Sequence, residues 1–256
     1  MDLFFAAVLG GVFGSFANVC IYRLPKNRNI SKGRSFCPKC KKKINWFDNV
    51  PLFSFIFLNG KCRKCNKKIS LQYFLVEIIS VFCFFGIYYL FGFSIDSLLF
   101  IILYCFLVIV FFIDLKHFII PNELTFPLMI IGFLKSLDPN LNKLIFPNFL
   151  NSIIGGVLGY FLIWLIIFVY KKLRNKEGMG LGDAKLLSAF GFWFGWYSIP
   201  FIIFLSSLSG LLFVLPSLLL KKRKLNSTIP FGPFLIFGLT IYLLFQSNLS
   251  YILQIL

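Results

Sequence analysis

Acid is scarce in this chain: nine Asp and Glu stand against 26 Lys and Arg, and the 256 residues hold a single histidine. Carboxylates this few cannot keep in solution a chain that is 59% hydrophobic and 20% aromatic, with a mean hydropathy of +0.86. A soluble domain is excluded in favour of an integral membrane protein. The single histidine leaves no apparatus for the common hydrolytic triads, and neither a GxSxG nor an HExxH motif is present. A glycine-rich loop of the dinucleotide-binding kind is missing as well. Nor is there a basic stretch ahead of the first apolar run. Asp2 precedes it and the first cation is Arg23, so residues 3–22 predict a retained span with its N-terminus outside rather than a cleavable secretory signal.

The net charge of +17 is confined to loops. Fourteen of the 26 basic residues lie between Arg23 and Lys68, five between Lys171 and Lys185, and four in Lys221-Lys222-Arg223-Lys224. That pattern reads as positive-inside topology with attraction to anionic lipid, and argues against a nucleic-acid partner. Hydropathy places further spans at 71–92, 96–114, 123–137, 150–170, 184–197, 199–220 and 230–247, which makes eight with the first. The fold class expected is therefore an all-α integral membrane protein of about eight transmembrane helices with a small cytoplasmic zinc-ribbon-like region. Loops 23–70, 115–122, 171–183 and 221–229 then share the cytoplasmic side, while the outer loops near Ser94 and from Leu137 to Pro147 carry few cations. In the first span, Gly10, Gly11, Gly14 and Ser15 suit close helix packing, and Asn18 is expected to face protein.

The main polar region, residues 23–70, contains Cys37-Pro38-Lys39-Cys40 and Cys62-Arg63-Lys64-Cys65, two CxxC knuckles separated by 21 residues. Disulfides or loose thiols would fit the same residues, but a basic cytoplasmic segment is reducing, which favours a closed tetrahedral zinc site of four thiolates. Cys20, Cys83 and Cys105 fall in apolar runs and read as packing residues. Between the knuckles, the stretch from Trp46 to Leu58 is too short to span and is expected to pack the ribbon against the membrane face.

A second unusual stretch, Glu177-Gly178-Met179-Gly180-Leu181-Gly182-Asp183-Ala184-Lys185, sets a carboxylate among glycines between two apolar runs. Gly180 and Gly182 could supply positive φ or close approach and hold Asp183 at the lip of a helix. Asp183 could equally be a plain N-cap. Asp114, in Phe111-Phe112-Ile113-Asp114-Leu115-Lys116-His117, tips the balance, because the span count puts both aspartates on one cytoplasmic lip. Two carboxylates at a poorly solvated site share a proton, so one can activate water while the other polarises a peptide carbonyl. His117 and Glu123 lie nearby, but a lone interfacial histidine is the plainer reading of the first.

Ile113-Asp114, Ile120-Pro121-Asn122-Glu123-Leu124-Thr125 and Gly178-Met179-Gly180-Leu181-Gly182-Asp183-Ala184-Lys185 together closely resemble the type IV prepilin peptidases, membrane aspartyl proteases of the GxGD type. Gly14-Ser15-Phe16-Ala17-Asn18-Val19 with Tyr22-Arg23-Leu24-Pro25, the paired knuckles, and Ile229-Pro230-Phe231-Gly232-Pro233-Phe234 extend the resemblance over nearly the whole chain. It implies Asp114 and Asp183 as the catalytic pair, Gly180 and Gly182 as the active-site loop, and Cys37, Cys40, Cys62 and Cys65 as ligands of a structural zinc. It also implies prepilins or pseudopilins as substrates, cut after a short basic leader at the cytoplasmic face of the bacterial inner membrane, and N-methylation of the new terminus with S-adenosylmethionine. On that division residues 1–22 are the first span, 23–70 a methyltransferase-associated zinc region and 71–256 the peptidase. Glu77 is a weak candidate for the methyl donor's site and an equally good internal polar partner. A presenilin-like protease would pair GxGD with a Tyr-Asp span, whereas Asp114 follows Ile113. A transporter or an assembly scaffold built on a zinc ribbon is the alternative of another class; a transporter predicts charges deep within the spans.

Overall fold

The computed structural model describes residues 2–30, 35–138, 141, 145–175, 178–219 and 228–255; Glu177 and the cluster Lys221-Lys222-Arg223-Lys224 lie outside the described residues. Among the described residues the regular elements are helices, as a bilayer demands of a chain that must satisfy its own backbone. They are α1 (Asp2–Arg23), the short α2 (Phe53–Phe57), α3 (Leu71–Phe91), α4 (Ile95–His117), α5 (Asn122–Lys135), α6 (Phe149–Arg174), α7 (Leu181–Phe194), α8 (Ser198–Leu219) and α9 (Gly232–Ile255). Each of the eight apolar runs is a helix. Five of these, α1, α3, α4, α6 and α8, are long and apolar enough to cross a membrane. By contrast α5 and α7 have 14 residues each, about 21 Å at 1.5 Å per residue, against a hydrocarbon core of about 30 Å. Two limits differ from expectation. Helix α4 runs on to His117 and α7 begins at Leu181, so Asp114 lies inside the last turn rather than at the final residue of its span, and Asp183 inside the first turn rather than just ahead of it.

The chain divides into two compact units, Met1–Ile109 and Val110–Leu256, with the division inside α4. In the first, α1 and α3 meet through glycine. A Cβ on Gly10 would lie 2.6 Å from the Ser80 carbonyl oxygen, and one on Gly14 would lie 2.7 Å from the Glu77 Cα, so only glycine permits this approach. Asn18 faces protein as expected: it is buried and donates from Nδ2 to the Tyr73 carbonyl at 3.0 Å.

In the second unit α7 is enclosed by its neighbours, which explains how so short a helix can persist. Gly155 of α6 and Gly191 of α7 face each other with no room for a Cβ on either, and a Cβ on Gly159 would lie 2.7 Å from the Leu187 carbonyl oxygen. Hydroxyls bind the pair across the same seam. Ser188 donates to the Gly156 carbonyl at 2.8 Å and Ser152 to the Phe192 carbonyl at 2.7 Å. On the other side the fully buried Trp193 packs over Gly132 of α5 and donates from Nε1 to the Leu128 carbonyl at 2.8 Å. Contact on two sides holds α7, and with it Asp183, against α5 and α6.

Candidate active site

Asp114 occupies the last turn of α4 and Asp183 the first turn of α7; only 4% and 8% of these residues is exposed. Each carboxylate receives one backbone amide. Gly232, the first residue of α9, donates its N–H to Asp114 Oδ2 at 2.9 Å, and Gly180 donates to Asp183 Oδ2 at 3.3 Å. The N-cap of α7 is Gly180 and Asp183 is the third residue of the helix, so Asp183 is not its N-cap but reaches back to the N-cap amide and supports the first turn. Capping alone gives no reason for a second buried carboxylate, Asp114.

The turn between α4 and α5 joins the two sides. Helix α4 ends as Phe118 donates to the Asp114 carbonyl at 2.9 Å and takes a positive φ of 58°. The chain then lays Ile120 between the two aspartate supports. A Cβ on Gly182 would lie 2.9 Å from Ile120 Cβ, while one on Gly232 would lie 3.1 Å from Ile120 Cδ1 and 2.6 Å from Asp114 Oδ2. Glycine at 182 and at 232 is therefore required by space. The positive φ considered for the glycine loop is not used: Gly180 has φ −86° and a Cβ there would make only ordinary contact, 3.7 Å from Asp183 Oδ2, and neither Gly180 nor Gly182 is among the positive-φ glycines. Lys185 ties α7 to the start of α5 by donating from Nζ to Asn122 Oδ1 at 2.7 Å. Glu123 is exposed and His117 is half-buried in the final turn of α4. Gly232 is a site residue whose contact sequence reading did not supply. Its one signal was a glycine set between Phe231 and Pro233 at the start of an apolar run.

In the first unit Cys37, Cys40, Cys62 and Cys65 converge, with sulfurs all within 4.8 Å of one another and Cys37 Sγ 3.9 Å from Cys65 Sγ. Sulfurs bound to one tetrahedral ion at about 2.3 Å would stand roughly 3.8 Å apart, so the set fits a metal ion held by four thiolates. The knuckles share one geometry. Cys37 donates its N–H to Lys42 and accepts from Lys41, which has positive φ; Cys62 repeats this with Lys67 and with Asn66, also at positive φ. Burial opposes ionisation of Cys62, but the Lys64 and Cys65 amides and the neighbouring thiols outweigh it and bring that thiol down to about 7. None of the seven cysteines forms a disulfide. Glu77 accepts the Leu52 N–H at 2.8 Å, which is the internal polar role weighed for it.

Two family models cover most of the chain: the bacterial peptidase A24 N-terminal domain over residues 8–91 and the type IV leader peptidase family over residues 101–215. A prepilin leader peptidase/N-methyltransferase of Pectobacterium carotovorum is 35% identical over 254 residues, covering 90% of this chain and 88% of the relative. The chain belongs to the type IV leader peptidase family. Proteins of the same name from Xanthomonas campestris and Vibrio cholerae are each 39% identical, covering 90% and 79% of this chain and 86% and 81% of the relatives. No solved structure matches this chain. As a type IV leader peptidase with five helices able to span, it is a multi-pass membrane protein.

Proposed function

We propose that this chain cuts the basic leader from prepilins or pseudopilins, with Asp114 and Asp183 as the hydrolytic pair, and N-methylates the terminus it exposes. The observation that carries the reading is the convergence of two buried carboxylates, each held by a single backbone amide, on either side of Ile120. In such surroundings two carboxylates do not both stay ionised, so the pair holds one proton between them. The ionised member takes a proton from water as it attacks the peptide carbonyl. The protonated member donates a hydrogen bond to the carbonyl oxygen and later a proton to the departing nitrogen. The terminal turns in which both aspartates lie suit a substrate that is cut where a polar leader meets an apolar helix. A transport pathway would place its charges deep within the spans instead.

The four thiolates would hold zinc with no open position, a structural site that fixes the polar region rather than one that takes part in hydrolysis. Relatives named as N-methyltransferases support S-adenosylmethionine as the methyl donor, which supplies an activated methyl group when bound. Glu77 is engaged by the Leu52 amide; we assign it to the fold of the first unit rather than to the donor. Residues 1–22 serve as the first span, 23–70 support methyl transfer and 71–256 carry the peptidase. The basic loops support a cytoplasmic position for the aspartates and the knuckles, at the bacterial inner membrane.

The test is mass spectrometry of an intact prepilin after incubation with the purified full chain. Loss of the leader without S-adenosylmethionine, and a further gain of one methyl group with it, are expected. An uncut prepilin in the presence of well-folded protein contradicts the proposal.

A further inference from the structure

Residues 46–58 lie between the two knuckles and pack on α1 and α3. We propose that they form a re-entrant segment whose apex, Pro51 and Leu52, sits at acyl-chain depth with its apolar face against lipid hydrocarbon. Helix α1 is the ruler. Its 22 residues make about 33 Å, only just the thickness of a bilayer core, so neither end can be drawn far into water and its middle must lie near the midplane. Gly11 is in that middle, twelve residues before Arg23 or about 18 Å along the axis. A Cβ on Gly11 would lie 3.4 Å from Pro51 Cβ and 3.6 Å from Val81 Cγ2. Val81 is ten residues into α3, about 15 Å by the same measure. Two helices thus give the same depth for Pro51.

Backbone at that depth needs internal partners, since hydrocarbon supplies none. The turn has them. Leu52, at an unfavourable φ of 62°, gives its N–H to the Glu77 carboxylate at 2.8 Å, Phe53 donates to the Pro51 carbonyl at 2.7 Å and Ser54 to the Val50 carbonyl at 3.1 Å. Asp48, the one acid of the segment, enters neutralised. Arg63 holds it through Nε at 2.9 Å and Nη2 at 2.8 Å, and the guanidinium lies 5.4 Å from the Phe47 ring centre. The returning arm, α2, stacks Phe55 on Phe74 of α3 at 4.9 Å, while Phe53, Ile56 and Phe57 stay 63%, 59% and 82% exposed. Lipid is the occupant because α1 and α3, on which the segment packs, also expose Val12, Phe16, Leu75 and Phe82 along helices long and apolar enough to cross a bilayer.

Photocrosslinking of the full-length protein in cell membranes tests the depth. Phe53→p-benzoylphenylalanine is compared with the same change at Phe82, on the lipid side of α3, and at Lys67, on a knuckle. The expected product at position 53 is a phospholipid adduct bonded at acyl carbons, as at position 82 and unlike position 67. Ile56 is a second probe with the same expectation, should the change at Phe53 disturb folding. Adducts at headgroup atoms only, adducts to another protein, or a yield no higher than at Lys67 overturn the proposal. Glu77→Gln keeps an acceptor for Leu52 and retains the acyl adduct, whereas Glu77→Leu loses it; equal adducts in the two variants contradict the anchor.

Discussion

Asp114 receives its amide from a residue 118 positions away, and that distance decides what could be read from the sequence. The aspartates themselves were legible, because two carboxylates in a chain with nine acids stand out beside long apolar runs. The demand for glycine at 232 was not, since it arises from a contact that only folding creates. Space rather than φ makes the demand, which separates three glycines experimentally. Gly182→Ala and Gly232→Ala push a methyl into Ile120 or Asp114 and cost about 1–3 kcal/mol where the site is packed. If that strain falls on the carboxylate geometry, cleavage drops by roughly tenfold to a hundredfold at one to two factors of 1.4 kcal/mol. Gly180→Ala makes only ordinary contact, 3.7 Å from Asp183 Oδ2, at φ −86° and should keep near-normal cleavage. Initial rates on one prepilin rank the three; equal loss in all would mean that the loop needs glycine for its backbone after all.

Helices were easier to foresee than their ends. Hydropathy falls at Asp114, yet backbone hydrogen bonding carries α4 to His117, and it resumes before Asp183, because helical bonds do not require apolar side chains. What fixes α7 is its seam with α6, visible in the sequence only as scattered glycines. Gly191→Ala should therefore lower the melting temperature of the purified protein by several degrees, the effect of about 1–3 kcal/mol on a protein of this size. Gly86→Ala, in α3 with nothing within 4 Å of its Cβ position, should leave it unchanged or slightly raised. Comparable losses in both would show that the α6–α7 seam is not tight. The knuckles were fully legible, because two CxxC pairs state both the ligand type and the number. Elemental analysis should find about one zinc per chain, lost in Cys37→Ser or Cys62→Ser and on acidification, which returns protons to the thiolates. The four thiols recovered as disulfides, or no metal under reducing conditions, would refute the metal site.

At the scale of the whole molecule, the proposed sidedness rests on the order of spans and basic loops. Ser94→Cys, in a chain with Cys20, Cys83 and Cys105 replaced by Ala and the knuckles kept, should react with an impermeant maleimide in intact cells. Lys172→Cys should react only after the membrane is opened, and the reverse pattern would undo the shared cytoplasmic lip. Cleavage and methyl transfer make different demands. Hydrolysis needs two carboxylates in opposite protonation states, whereas methyl transfer needs a neutral amine held beside the donor. Asn nearly preserves the shape of Asp while removing its acid and base chemistry, so the most direct measurement gives purified wild type, Asp114→Asn and Asp183→Asn an intact prepilin and, separately, a precut pilin, with S-adenosylmethionine present. Mass spectrometry should find the intact prepilin cut by the wild type alone and the precut pilin methylated by all three. Near-normal cleavage by either Asn variant, with its metal content and melting temperature intact, would contradict the aspartate pair and leave Asp183 as no more than a support for the first turn of α7.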